Sequence, residues 1–439
     1  MIRTISDDIG FETQDSRQLA TDELLRSSLP EAGRTWDDIK RELTTLKAGD
    51  YDWRQGKVPL YVYYANEELL AVSQGAYMEY FSENALGARA FPSVAQMERA
   101  LIRMARELFQ APAESAGSFT SGGTESIFLA VKAARDAFRA KHPGVASPRL
   151  VLPRTAHPAF DKAAQYLNVE AVRVRVGKDL RVDIGALEGA INSTTMMVVG
   201  SAPCYPYGVF DRIDLIGELA AARGIWFHAD ACLGGFLAPF ARDEGYPIPD
   251  FDFRIPGVTS LSADFHKYGF SARGASVILY RNARLKEFQG FRFDDWPRGN
   301  YATETFLGSR PAGSVASAWA VSQYLGRNGY RQLARRIMEA KARMLEGIGR
   351  IQGLEVIRPT ELCIVLFKSV DPKVDINAVA DGLSERNWFV GRSREPQALH
   401  FALNTVHAPV IGRYLEDLGD VVHRVRAAGR VGRYDDNTY

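Results

Sequence analysis

Short apolar runs alternate with amphipathic helical stretches from about Tyr61 onward, and this rhythm restricts the fold more than any other feature of the chain. The runs are Leu150–Leu152, Val172–Val176, Met196–Val199, Ile225–Phe227, Val258–Leu261 and Val277–Tyr280. Helical stretches separate several of them, notably Ile213–Arg223, and Ile127, Val131, Ala134 and Phe138 share the spacing of one helix face. Strands joined by crossover helices predict a mostly parallel α/β sheet. After Pro311 the rhythm changes. Helices are expected over Val315–Leu325 and Tyr330–Ile351, broken by Gly326-Arg327-Asn328-Gly329. Strands at Leu354–Ile357, Cys363–Phe367 and His400–Leu403, with helices at Ile376–Glu385 and Val410–Ala428, describe a smaller α+β unit. The expected division is an N-terminal segment (1–58), a large domain (59–314) and a small C-terminal domain (315–439). Residues 1–30 are polar and read as irregular or weakly helical. Trp36–Lys47 reads as a helix capped by Thr35, and the end from Gly432 as a frayed tail.

Charge and cysteine usage remove several function classes. Lys plus Arg total 54 against 53 for Asp plus Glu, a balance that argues against nucleic-acid binding through phosphate neutralisation. A local anion site is still compatible with it. Cys204, Cys232 and Cys363 are far apart and form no CxxC pair, which excludes a disulfide scaffold and thiolate zinc sites. No metal is expected, and the pattern suits a reducing compartment. The first residues lack the apolar stretch of a secretory signal, and no run of about 18 apolar residues offers a membrane span. A cytoplasmic location is the expectation.

Three motifs carry chemistry. Thr120-Ser121-Gly122-Gly123-Thr124-Glu125-Ser126 directly precedes the Ile127 helix, where glycines, hydroxyls and a helix N-terminus can cradle a phosphate. Alone, such a cluster is more often a simple cap and loop, and it matches neither common nucleotide motif. Asp230 follows the run Ile225–Phe227, at the carboxyl end where open α/β sheets place ligands, although an acid there is equally a loop or cap residue. Lys267, in Ser262-Ala263-Asp264-Phe265-His266-Lys267-Tyr268-Gly269, sits in a turn after a further strand. A turn lysine is usually a solvated charge, but one set among small residues can be desolvated enough to act as an amine nucleophile.

The order of these motifs, with Lys267 37 positions after Asp230, resembles fold-type I enzymes dependent on pyridoxal phosphate. More closely, TSGGTES at 120–126, HADACLGGF at 228–236, FDFRIPGVTSLSADFHKYG at 251–269 and GSRPAG at 308–313 resemble the sphingosine-1-phosphate lyase family, within the amino-acid decarboxylase group. The resemblance runs from about Trp36 to Ala428. It implies a large cofactor-binding domain with helices on both faces of the sheet, a smaller C-terminal domain, and pyridoxal 5′-phosphate as cofactor. It implies Lys267 as the Schiff-base lysine and Asp230 as partner of the pyridine nitrogen, keeping the ring protonated so that it can accept electrons. His157 matches the imidazole stacked on the ring. Gly123, Thr124 and His266 match the phosphate cradle, and Tyr205 a residue lining the site. Ser309 matches a serine that reaches the neighbouring subunit's cofactor phosphate, hence a homodimer with shared active sites.

Departures from the family fall around the substrate. The family's GKVSGAVY reads Gly56-Lys57-Val58-Pro59-Leu60-Tyr61-Val62-Tyr63, keeping the active-site Tyr63 but placing bulk at Leu60 and Tyr61. Its Asn-Pro-Leu-His reads Asn84-Ala85-Leu86-Gly87, so an imidazole expected near the substrate phosphate is absent. A family lysine is Arg273, still a cation and a better bidentate anion clamp. Tyr61, Tyr63, Asn84 and Arg273 are thus the candidate substrate residues, with Lys267, Asp230, His157 and Tyr63 as the catalytic set. The implied reaction is retro-aldol cleavage of a small-molecule amine, a phosphorylated amino alcohol, to an aldehyde and a smaller amine. The alternative is decarboxylation of an amino acid, or an aldol-type step coupled to it. A non-catalytic binding protein would need none of Lys267, Asp230 and His157.

Overall fold

The computed structural model describes residues 28–433. The expectation for residues 1–27 therefore falls outside the described residues, as does the tail from 434. Seven strands form one sheet: β1 (Ala116–Thr120), β2 (Arg149–Pro153), β3 (Glu170–Val174), β4 (Thr195–Ser201), β5 (Trp226–Asp230), β6 (Ser260–Ala263) and β7 (Ser276–Tyr280). Their order is β1-β7-β6-β5-β4-β2-β3. Only β7 opposes its neighbours, pairing antiparallel with β6 and β1. The link from β6 to β7 contains no helix, so the chain doubles back instead of crossing over. That return places the Lys267 turn between two adjacent strands.

β1 was not foreseen, because Ala-Gly-Ser-Phe-Thr lacks branched apolar residues. It pairs closely instead: a Cβ on Gly117 would lie 2.5 Å from Leu279 Cδ2 and 2.6 Å from the Ile278 carbonyl oxygen. Alternate strand residues feed two cores on the two faces of the sheet. Val151, Val198, Val277 and Leu279 belong to one core, while Leu150, Leu152, Val199, Ile278 and Tyr280 belong to the other. Burial on both faces explains why these strands read as continuous apolar runs.

The helices up to the end of the sheet are α1 (Trp36–Lys47), α2 (Glu67–Glu79), α3 (Pro92–Leu108), α4 (Gly123–Lys141), α5 (Ala159–Leu167), α6 (Ile184–Ala190), α7 (Ile213–Arg223), α8 (Ala238–Asp243) and α9 (Ala283–Glu287). Thr35 caps α1 through its hydroxyl, which accepts from the Asp38 N–H at 3.2 Å. A hairpin of β8 (Phe291–Phe293) and β9 (Tyr301–Thr303) precedes α10 (Ala312–Gly349). The expected four-residue break in α10 contracts to Gly326 alone (φ 53°, ψ −177°), a conformation few other residues tolerate.

The small domain holds a four-stranded antiparallel sheet, β10 (Leu354–Val356), β11 (Ile364–Ser369), β13 (Gln397–Ala402) and β12 (Gly391–Arg394), with α11 (Ile376–Ser384) and α12 (Ile411–Ala428). β12 is a polar edge strand, Gly-Arg-Ser-Arg, and carries no apolar signal. The N-terminal segment is stitched to this unit: the Phe389 N–H donates to the Lys57 carbonyl (2.9 Å) and the Ala402 N–H to the Pro59 carbonyl (3.1 Å). It thereby delivers Tyr61 and Tyr63 to the gap between the two units. Gly432 and Arg433 are not frayed, because their N–H groups donate to Asp375 (3.0 Å) and Asp381 (3.1 Å).

Candidate active site

A cavity of about 540 Å³ opens where β4, β5 and β6 end against the start of α4. α4 begins at Gly123, and its first-turn N–H groups lack intrahelical acceptors, which makes this end attractive to an anion. A side chain at Gly123 would close the approach, since its Cβ would lie 2.9 Å from both Asp264 Oδ2 and Cys232 Sγ. Thr124 and His266 line the same end. The Ala275 N–H donates to His266 Nδ1 (3.2 Å), so Nε2 carries the ring proton. Burial pulls the His266 pKa down, against the opposing pull of Asp264, so the neutral ring offers a donor.

Lys267, Asp230, His157 and Tyr205 line the same cavity. Lys267 Nζ lies 2.8 Å from Asp264 Oδ2. Burial alone would lower the pKa of Lys267, but the Asp264 carboxylate holds it above the usual lysine range. Asp230, the last residue of β5, accepts on Oδ1 from the Cys232 N–H (3.0 Å) and the Ser262 hydroxyl (3.3 Å). Both donors converge on one oxygen. His157 Nδ1 accepts the Ala159 N–H (3.1 Å), and burial lowers its pKa, so this ring is also neutral. Tyr205 is held from the small domain: His400 Nε2 donates to its carbonyl (3.0 Å), and the two rings lie 5.0 Å apart.

Tyr61, Tyr63 and Arg273 complete the cavity wall. Burial pushes the Tyr63 phenol up to about 12, so it holds its proton at neutral pH. Its ring meets Tyr268 edge-on (4.9 Å), with the Arg273 guanidinium 5.5 Å from its centre. Tyr61 is 43% exposed and has φ of 63°, a left-handed backbone that is strained for a tyrosine. Beyond Tyr63 and Arg273 lies a second cavity of about 310 Å³, with Trp53, Leu70, Tyr77, Met78 and Phe270 on its walls. Tyr63, His266 and Arg273 border both cavities.

Some expected residues lie elsewhere. Leu60 does not add bulk to the pocket: it is buried in the core, near Gly391, because the chain turns it inward before Tyr61. Asn84 and Ser309 do not line the cavity of their own chain. They meet each other, Asn84 Nδ2 donating to Ser309 Oγ (3.0 Å), and the Ala85 N–H bonds the Arg310 carbonyl (3.0 Å). The loops carrying them form one surface unit with exposed Leu86, Phe306 and Leu307.

Two residues were not singled out from sequence. Asp264 sits within the lysine motif, and its position one turn before Lys267 was the available signal. Glu125, buried at the start of α4, accepts from the Ser121 N–H and hydroxyl (2.6 Å each) and from the Phe306 N–H (2.7 Å). No local pattern announces a partner 181 residues away.

The residues fit pyridoxal phosphate. An amine, a carboxylate at a strand's end, a neutral imidazole and a side-chain-free anion cradle converge on one cavity. Comparison with known proteins agrees. The pyridoxal-dependent decarboxylase conserved domain matches residues 19–370. The chain is 41% identical to the sphingosine-1-phosphate lyase of Oryza sativa over 93% of its own length and 76% of that protein. It is 36% identical to sphingosine-1-phosphate lyase 1 of Rattus norvegicus, over 91% and 70%. Among solved structures, the sphingosine-1-phosphate lyase of Burkholderia pseudomallei superposes with a TM-score of 0.87 at 34% identity, covering 92% of this chain and 94% of that one. A Lactobacillus brevis glutamate decarboxylase shares the fold, with a TM-score of 0.81 at 18% identity, over 91% and 95%.

Proposed function

This chain belongs to the pyridoxal-dependent decarboxylase family, among its sphingosine-1-phosphate lyases, and on that footing we propose that it cleaves the Cα–Cβ bond of a phosphorylated, apolar amino alcohol. It is a pyridoxal 5′-phosphate-dependent aldehyde-lyase. The substrate and the part played by each residue are our assignment. The cofactor, when bound, supplies an electron sink for the bond that breaks.

Gly123, Thr124 and His266 would hold the cofactor phosphate, and Lys267 Nζ would be the amine facing its aldehyde. Asp230 has Oδ1 engaged by two donors, and its other oxygen would be left to hold a proton on the ring nitrogen. His157, a neutral imidazole, would pack against the ring's face. Tyr63 keeps its proton, so it serves as a hydrogen-bond donor and not as the base that removes the β-hydroxyl proton. Arg273 binds the substrate anion. Asn84 and Ser309, on their joined loops, serve the partner's site in a homodimer. The exposed apolar residues around them, Phe306 at 63% among them, support that interface. Three free buried cysteines support a cytoplasmic location.

The observation that carries the substrate reading is Arg273, a cation bordering both the lysine cavity and an apolar chamber. The test measures aldehyde and carbon dioxide over a panel of phosphorylated amino alcohols and amino acids. Aldehyde from phosphorylated substrates, with KM raised in Arg273→Gln, is expected. Carbon dioxide without aldehyde would favour amino-acid decarboxylation, with Arg273 on the carboxylate.

A further inference from the structure

The counter-ion of Lys267 also touches the anion cradle. Asp264 Oδ2 is 2.8 Å from Lys267 Nζ and 3.6 Å from His266 Nε2. It is also 2.9 Å from where a Cβ of Gly123 would stand, at the first residue of α4. The Asp264 side chain is 1% exposed, and its Oδ1 has no hydrogen-bond partner among the described residues. The Ser276 hydroxyl beside it meets the Ala263 carbonyl (3.1 Å) and helps hold the Asp264 pKa low. The carboxylate is thus wedged between ammonium and cradle. A protonated lysine has no lone pair and cannot attack a carbonyl.

We propose that Asp264 takes the proton of Lys267 when a dianion enters the cradle, and so converts the lysine to its nucleophilic form. The proposal rests on reading the pocket as a pyridoxal phosphate site. A dianion set beside a carboxylate disfavours its ionised form, and both Asp264 oxygens (2.9 and 3.1 Å), but not Lys267 Nζ, are among the three atoms nearest to a Cβ built on Gly123. One proton crosses the contact from Nζ to Oδ2, and the pair becomes a neutral amine and a neutral acid. The Nζ lone pair then forms a bond to the aldehyde carbon. The aldehyde oxygen leaves as water with the two amine hydrogens, as the carbon–nitrogen double bond closes. An aldehyde without a phosphate meets a lysine that is still locked.

The test is covalent capture by the cofactor-free full-length protein, read as absorbance and as borohydride-fixed mass on Lys267, with rates taken at saturating aldehyde. Pyridoxal phosphate should be captured at least about tenfold faster than pyridoxal, the change in neutral amine for a shift of one pKa unit. Sulfate, which fills the cradle but carries no proton at neutral pH, should accelerate capture of pyridoxal by the wild type. In Asp264→Asn, pyridoxal should be captured equally fast with and without sulfate. Equal rates for the two aldehydes in the wild type, or acceleration by sulfate that persists in Asp264→Asn, overturns the proposal. The wild-type comparison stands even if the variant misfolds. Capture of neither aldehyde would overturn the cofactor reading as well, which separates the two failures.

Discussion

Asn at position 230 would keep an acceptor for the Cys232 N–H and the Ser262 hydroxyl, while its other atom becomes an uncharged NH2. Asp230→Asn should therefore retain the cofactor, measured by absorbance, and lower turnover by roughly 10²-fold or more, as for loss of a group facing developing charge. Near wild-type turnover would remove Asp230 from the mechanism. His407 gives a pH prediction. It is buried, with Nδ1 accepting the Asn404 N–H (2.9 Å) and Nε2 facing the Val58 carbonyl (3.3 Å), and burial pulls its pKa down to about 4. The native pKa is below the unfolded value of about 6.5, so the stability of the neutral form is complete above pH 6.5 and lost as pH falls toward 4. Denaturant midpoints should fall across that window, less steeply in His407→Gln. Identical slopes would sink the assignment. Asp230 stands out in the sequence because it ends a strand of recognisable rhythm, and Lys267 because it falls in the short turn after another. Asp264 was overlooked because its charge is directed at a neighbour inside the same motif, where one sequence position looks like another. Leu60 was placed in the pocket because side-chain volume is legible but its direction is not.

At the scale of elements, α4 does more than present N–H groups. Through Glu125 it ties Ser121 of its own cradle to the loop that carries Phe306 and, three residues on, Ser309. Glu125→Gln weakens charge-assisted bonds worth ~1.5–3 kcal/mol each, so cofactor affinity should fall about tenfold or more at little change in the absorbance of what binds. An unchanged dissociation constant would reduce Glu125 to a local cap. The strands β2 and β4 to β7 were readable because both their faces are buried. β1 and β12 were not, since one is built from small residues packed against a neighbour and the other is polar and at an edge. The reversal of β7 could be traced only to the helix-free link before it, which periodicity does not flag.

For the whole molecule, the proposed homodimer would complete each site in trans through the partner's joined Asn84 and Ser309 loops. Mixing inactive Lys267→Ala chains with chains damaged at Ser309 and Arg310 should restore activity, because one hybrid site then holds an intact lysine and an intact donor loop. A fully active monomer at working concentration would refute sharing. α10 has a further consequence. Its first half is fixed to the large domain, where Ser317 bonds Ser73 (2.8 Å), and past Gly326 it is still held there, by Tyr330 stacked on Phe240 (4.8 Å) and by Arg331 and Arg335 on Glu244; its last turns meet the small domain, where Gly347 abuts Leu415 and Lys341 bonds the Thr360 carbonyl (3.3 Å). The fulcrum of any lever here therefore lies past Arg335, and its distal arm, residues 336–349, is about 21 Å long at 1.5 Å per residue. Roughly 10° of rotation there would swing the far end by about 4 Å. The small domain that rides on this arm also carries His400, the residue that grips Tyr205 at the pocket wall. Glu244→Gln, which loosens the clamp on Arg331 and Arg335, should thus raise KM while leaving the bound cofactor's spectrum alone, and one carboxylate far from the chemistry becomes the setting screw of the substrate's aperture.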